Sequence, residues 1–166
     1  MRRSIMMTIC LLTLASLVTV IVRADSPKYH SADPSFDSKT ACYSVKLTET
    51  GLGNSGFSSI TYDLSCTAAF TTVCVNKGGN TVSGQPKSGT GTATEPTILP
   101  IRNGSTTGTV TLCPGSFTLP DPGCTGGQKE EITAAQYSAC SLSDGLGTPS
   151  PSLPALGGSN LSVIVP

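Results

Sequence analysis

The residues able to do chemistry in this chain are few, and their types exclude more than they admit. A Ser/His/Asp or Cys/His catalyst needs an imidazole to carry a proton between nucleophile and leaving group. The sequence has one histidine, His30, in a stretch bounded by Pro27 and Pro34. A Ser–Lys pair would draw on Lys46, Lys77, Lys87 or Lys129, yet no S-x-x-K leads into a helical pattern. Glycoside hydrolysis needs two carboxylates across a cleft. Asp63, Asp121, Glu130, Glu131 and Asp144 have the right type, but there is no Trp and there are only four Tyr to stack on sugar rings. These acids therefore read as solvated surface groups, and no catalytic residue is assigned.

Two further segments look like sites and are not read as such. Cys74-Val75-Asn76-Lys77-Gly78-Gly79-Asn80 has the glycines of a phosphate cradle. Such loops run into a helix N-terminus, whereas Thr81-Val82-Ser83-Gly84 follows here without helical period, so the segment is a turn. Leu153-Pro154-Ala155-Leu156-Gly157 lacks the threonine, apolar span and basic tail of a sortase signal. Asn103-Gly104-Ser105 and Asn160-Leu161-Ser162 are sequons, which makes Asn103 and Asn160 glycosylation candidates in a eukaryotic source. No pattern points to a cofactor.

Cysteine chemistry is more informative. Cys10 lies in an N-terminal apolar run, which leaves Cys42, Cys66, Cys74, Cys113, Cys124 and Cys140. An even set in an exported chain reads as a disulfide framework, here three bridges among fifteen ways of pairing. Zinc is disfavoured, because there is no C-x-x-C and His30 stands apart.

The export reading rests on residues 1–24. Arg2 and Arg3 precede an apolar stretch from Ile5 to Val22, and Val22-Arg23-Ala24 supplies small or short residues for cleavage before Asp25. That is the order of a secretory signal peptide. The stretch approaches the roughly 18 residues that span a bilayer, but Arg23 interrupts it. Of the ten Lys and Arg, three (Arg2, Arg3, Arg23) lie in this segment and none of the ten Asp and Glu does, so the remainder carries a net charge of −3. Without a basic cluster, nucleic acid is not an expected partner. Membrane association after cleavage is not expected either.

These groups must be positioned by strands. Residues 25–40 are polar, contain two prolines and show no period, so they read as a flexible leader. From Cys42, Tyr43, Val45 and Leu47 alternate with polar residues, the signature of a half-buried strand. After the turn cluster Gly51–Gly56, Ile60, Tyr62, Leu64 and Cys66 form a second apolar face, suggesting a hairpin with a wide loop. Ala69–Val75 reads as a third strand, and 81–100 as a long surface connection or a weak edge strand. Asn103-Gly104 marks a tight turn before a strand over Thr106–Cys113, which Phe117 and Leu119 extend; Pro120–Gln128 is loop. Glu130–Leu142 fits a strand or a short helix. The Gly/Pro/Ser-rich stretch 146–166 is a tail whose end, Leu161–Val165, is a last strand or an apolar terminus. The expected domain spans 41–145 and is all-β: a small disulfide-stapled β-sandwich, with a small barrel as the alternative. With so few aromatics, its core is expected to consist of Val, Leu, Ile and Ala.

Gly51-Leu52-Gly53-Asn54, Cys74-x-Asn76-x-Gly78-Gly79-Asn80, Gly84-Gln85 and Asn103-Gly104, with a later cysteine at Cys113-Pro114 or Cys124, resemble a pattern in an uncharacterised group of small secreted, largely actinobacterial β-rich proteins. The resemblance covers about Leu47 to Leu142. This chain departs from the group in its additional cysteines and in Val82-Ser83, where the group tends to have proline. The resemblance implies a secreted β domain, no activity, and a Cys74–Cys124 bridge. Cys42 with Cys140 would then join the domain ends, leaving Cys66 with Cys113. The expected function is a secreted non-enzymatic extracellular module that binds a protein or glycan partner or serves as a cell-surface or matrix component. The alternative is a secreted carboxylate-dependent hydrolase, which requires Asp63 to face Glu130 or Glu131 in a cleft.

Overall fold

Alternation of apolar and polar residues sets up seven strands, and the computed structural model describes residues 26–53, 57–82 and 86–165. The signal-peptide segment, 1–24, lies outside the described residues. The strands are β1 (Lys28–Asp37), β2 (Cys42–Thr50), β3 (Ser59–Val75), β4 (Lys87–Pro100), β5 (Ser105–Leu112), β6 (Lys129–Ser143) and β7 (Leu156–Ile164), with a 3-10 turn at Pro114–Ser116. They form two antiparallel sheets, β1-β2-β5 and β4-β3-β6-β7, packed as a sandwich that does not close into a barrel. This is the strand order of an immunoglobulin-type sandwich whose fourth strand sits beside the third.

The order corrects the expected hairpin. β2 pairs with β1 and β5, whereas β3 pairs with β4 and β6. Two strands that each carry a continuous apolar face bury more by facing each other across the core than by lying side by side. The chain therefore changes sheets after β2. It changes back at Asn103-Gly104, whose φ values of 51° and 72° are those the tight turn demands.

Other expectations shift as well. The leader 25–40 contains β1, an edge strand in which Pro34, opposite Val45, needs no partner for its missing N–H. Its alternation is hidden by a bulge between Tyr29 and Ser31. The second and third expected strands are one 17-residue strand, β3. The ambiguous segment is strand β6, and the tail supplies β7, which begins five residues before Leu161. Of the stretch 81–100, expected as a surface connection or a weak edge strand, 87–100 form edge strand β4, but Phe117 and Leu119 follow the 3-10 turn instead of extending β5.

The core differs in composition from expectation. Tyr43, Tyr62 and Tyr137 are fully buried beside Val45, Leu47, Leu64 and Leu112. Tyr137 stands at the centre of an aromatic cluster with Phe36, Tyr43, Phe70 and Phe117. The hydroxyls of these three tyrosines each donate to an acceptor, as buried phenols usually do, whereas the Tyr29 hydroxyl is buried without a partner. Tyr137 donates to the Ala41 carbonyl at 2.8 Å, Tyr43 to the Pro154 carbonyl at 3.1 Å, and Tyr62 to Glu49.

Three disulfides staple the fold: Cys42–Cys113, Cys66–Cys140 and Cys74–Cys124. The third agrees with the bridge the resemblance implied; the other two replace Cys42–Cys140 and Cys66–Cys113. The reason is spatial. Cys42 lies beside Cys113 on one sheet and Cys66 beside Cys140 on the other, with Cα separations of 4.2 and 4.1 Å. The pairs Cys42–Cys140 and Cys66–Cys113 would each have joined cysteines on opposite sheets, whereas each of these bridges closes on the neighbour within its own sheet. The two sheets are thus held together by packing, and Cys74–Cys124 ties the Pro120–Gln128 loop to the end of β3.

Candidate functional site

At the end of the sandwich where β1 turns into β2, β6 begins and β7 ends, the sheets part to leave a groove of about 670 Å³. Phe117, Leu119, Ile132, Val163 and Val165 wall it, and Lys39 and Thr40 stand among the residues lining it. Period-2 alternation places Glu130 on the same face as Ile132, so its carboxyl joins this apolar lining. The Val165 N–H donates to the Glu130 carbonyl at 2.9 Å, carrying the β6–β7 pairing past the last strand residue.

Glu130 is the unusual group here. Its Oε1 is buried without a hydrogen-bond partner. Burial raises its pKa, and the nearby charge of Asp121 raises it further. An unsatisfied buried oxygen costs about 1–3 kcal/mol. A pocket of this size with apolar walls and one perturbed polar group has the character of a binding site.

The remaining acids are scattered. Asp63 is exposed on β3 opposite Ser143, and Glu131 sits opposite Val73. Ten strand residues separate these positions, about 33 Å at roughly 3.3 Å per residue. The pair required for the hydrolase alternative is therefore not brought together. Asp121 is exposed and accepts the Gly123 N–H at 2.7 Å. Lys46, Lys77, Lys87 and Lys129 are all exposed, as is His30 on edge strand β1. The Asn76–Asn80 segment closes on itself, Asn76 Oδ1 accepting the N–H groups of Gly78 and Asn80, so it is the expected turn. Asn103 and Asn160 are exposed.

Asp144 is not the surface acid the sequence suggested. It is 4% exposed and meets a residue overlooked in the sequence, Glu49, which is fully buried. Tyr62 donates to Glu49 Oε2, and Thr148 donates to Oε1 at 3.2 Å. Burial raises the Glu49 pKa, and the neighbouring Asp144 carboxyl adds to the rise; hydrogen bonds from Tyr62 and Thr148 oppose it. The signal was available: Tyr43, Val45 and Leu47 point inward, and Glu49 is the next residue in that series. This second cluster is sealed, so it belongs to the fold's electrostatics and not to an open site.

No protein-family model matches the chain, and no curated protein is similar to it. Among the described residues, no helix is long and apolar enough to cross a membrane, and no group of three or more His, Cys, Asp or Glu is arranged to hold a metal ion.

Proposed function

We propose that the chain is a secreted, non-enzymatic extracellular module that binds a partner through the groove beside Glu130. The three disulfides support an oxidising destination. The observation that carries the reading is the apolar groove containing a buried carboxyl oxygen with no hydrogen-bond partner. Such a surface is completed by a ligand that covers the walls and supplies the missing hydrogen bond.

The test is retention of extracellular and cell-surface proteins on the immobilised, oxidised protein, with Val163→Arg as the groove-blocked comparison. Retention of a defined partner by the wild type and its loss in the variant is the expected result. Equal retention by both places binding elsewhere and sinks the groove reading. A second reading is kept by one observation, the action of Asp121 on Glu130, which gives a carboxylate hydrolase a different acid pair from the one first considered. Turnover on a glycan panel, abolished by both Glu130→Gln and Asp121→Asn, would establish that reading instead.

A further inference from the structure

The ligand chemistry can be taken a step further, on the footing of the groove reading above. The Phe117, Ile132 and Val163 walls suit a slender aliphatic stem. The polar group beside them is an acid, and the charge acting on that acid is another acid, Asp121. Lys39 and Thr40 line the groove too, but the Thr40 hydroxyl donates to Asp37 and neither residue hydrogen-bonds Glu130 Oε1. Glu130 Oε1 is therefore left without a hydrogen-bond donor, and the charge acting on its carboxyl has the carboxylate's own sign. A carboxylate or phosphate would worsen that deficit, and a neutral hydroxyl would meet only half of it.

We propose that the groove receives a lysine side chain of a protein partner, its methylene stem along Phe117, Ile132 and Val163 and its ammonium donating to Glu130 Oε1. A lysine stem readily covers apolar surface while its head stays polar. Its ammonium offers three donors and a compact positive charge. Ionisation of Glu130 and ammonium binding are linked, so affinity rises as pH climbs through the Glu130 titration.

n-Hexylamine serves as the stand-in for the side chain, with n-hexanol and hexanoate as controls. Amide shifts of the oxidised protein at Gly115, Glu130 and Val165 are followed by NMR. The expected result is that hexylamine shifts these amides and binds more tightly than either control. Glu130→Gln weakens it about tenfold or more, the scale of a charge-assisted hydrogen bond, while hexanol binding stays within about twofold. Measured above the Glu130 titration, where the carboxylate is ionised in both proteins, Asp121→Asn at an exposed position supplies a second reading by weakening hexylamine to a smaller degree. If hexanol or hexanoate binds as well as hexylamine, and Glu130→Gln changes nothing, the lysine proposal falls while the groove reading stands. If no probe moves a groove amide, both fall.

Discussion

The buried acid Glu49 makes the stability of this domain pH-dependent in a direction opposite to ordinary acid denaturation. Glu49 is fully buried, and the groups around it are Tyr29 from β1, Tyr62 from β3, and Asp144 and Thr148 from the segment after β6. Burial, and after it the neighbouring Asp144 carboxyl, favours its protonated form, so its pKa is raised. A group that binds its proton more tightly when folded contributes stability fully below its unfolded pKa, about 4.3 for Glu. That contribution is lost as pH rises through the folded value. One such proton gives a slope of at most about 1.4 kcal/mol per pH unit. Glu130 is raised as well and acts in the same direction. Asp37 is lowered by hydrogen bonds from the Lys39 N–H and the Thr40 hydroxyl, so its contribution is lost only in stronger acid. Urea unfolding of the oxidised protein from pH 5 to 8 should show stability falling as pH rises. In Glu49→Gln the fall should be shallower, and Glu49→Gln with Glu130→Gln should be nearly flat. The single variant should also exceed the wild type at pH 7.5, because the neutral amide keeps an acceptor for Tyr62 and needs no proton. Wild-type stability rising across this range, or an unchanged slope in Glu49→Gln, would refute the reasoning.

Further outcomes follow from the same structure. Replacing Cys66 and Cys140 by Ala, with Cys74–Cys124 intact, opens a closure of about 24 residues (66 to 74 and 124 to 140), worth about 3.4 kcal/mol by loop entropy, which lowers the urea midpoint by roughly 1.7 M for a slope near 2 kcal/mol/M. Gly157→Ala drives a Cβ into the Ala135 carbonyl oxygen, so the β6–β7 pairing must shift, at a cost of about 1–3 kcal/mol or more; circular dichroism melts measure it. Non-reducing peptide mapping should recover Cys42–Cys113, Cys66–Cys140 and Cys74–Cys124, and a Cys42–Cys140 peptide would contradict the sheet assignment. Intact mass of the exported protein should lack residues 1–24, with no thiol reactive to maleimide after denaturation.

How much of this was legible in the sequence depended on whether local alternation coincided with tertiary placement. Tyr43–Leu47 and Ile60–Cys66 declared their buried faces, because a regular strand buries every second residue. β1 did not, since its bulge and Pro34 break the period and only pairing with β2 makes it a strand. Which strands share a sheet decided two of the three disulfides, and no local signal carries that information. The same holds for the site. Glu130 was singled out by type, but its place beside an apolar groove needed β7, which comes from a tail that read as Gly/Pro/Ser-rich. Glu49 was missed although its register with Leu47 pointed inward, because a charged residue at a strand end ordinarily marks the passage to solvent.

Where partners touch this molecule is the question on which the account stands. Gly115 lines the groove, is exposed, and would carry a side chain into open space, since an added Cβ meets nothing within 4 Å. Thr92, exposed on edge strand β4 and not among the residues lining the groove, is the comparison. A photo-crosslinking residue is placed at one position or the other, and the oxidised protein is irradiated with extracellular and cell-surface fractions. The account predicts one defined adduct from position 115, competed by n-hexylamine, and none from position 92. A defined adduct from position 92 alone would contradict it.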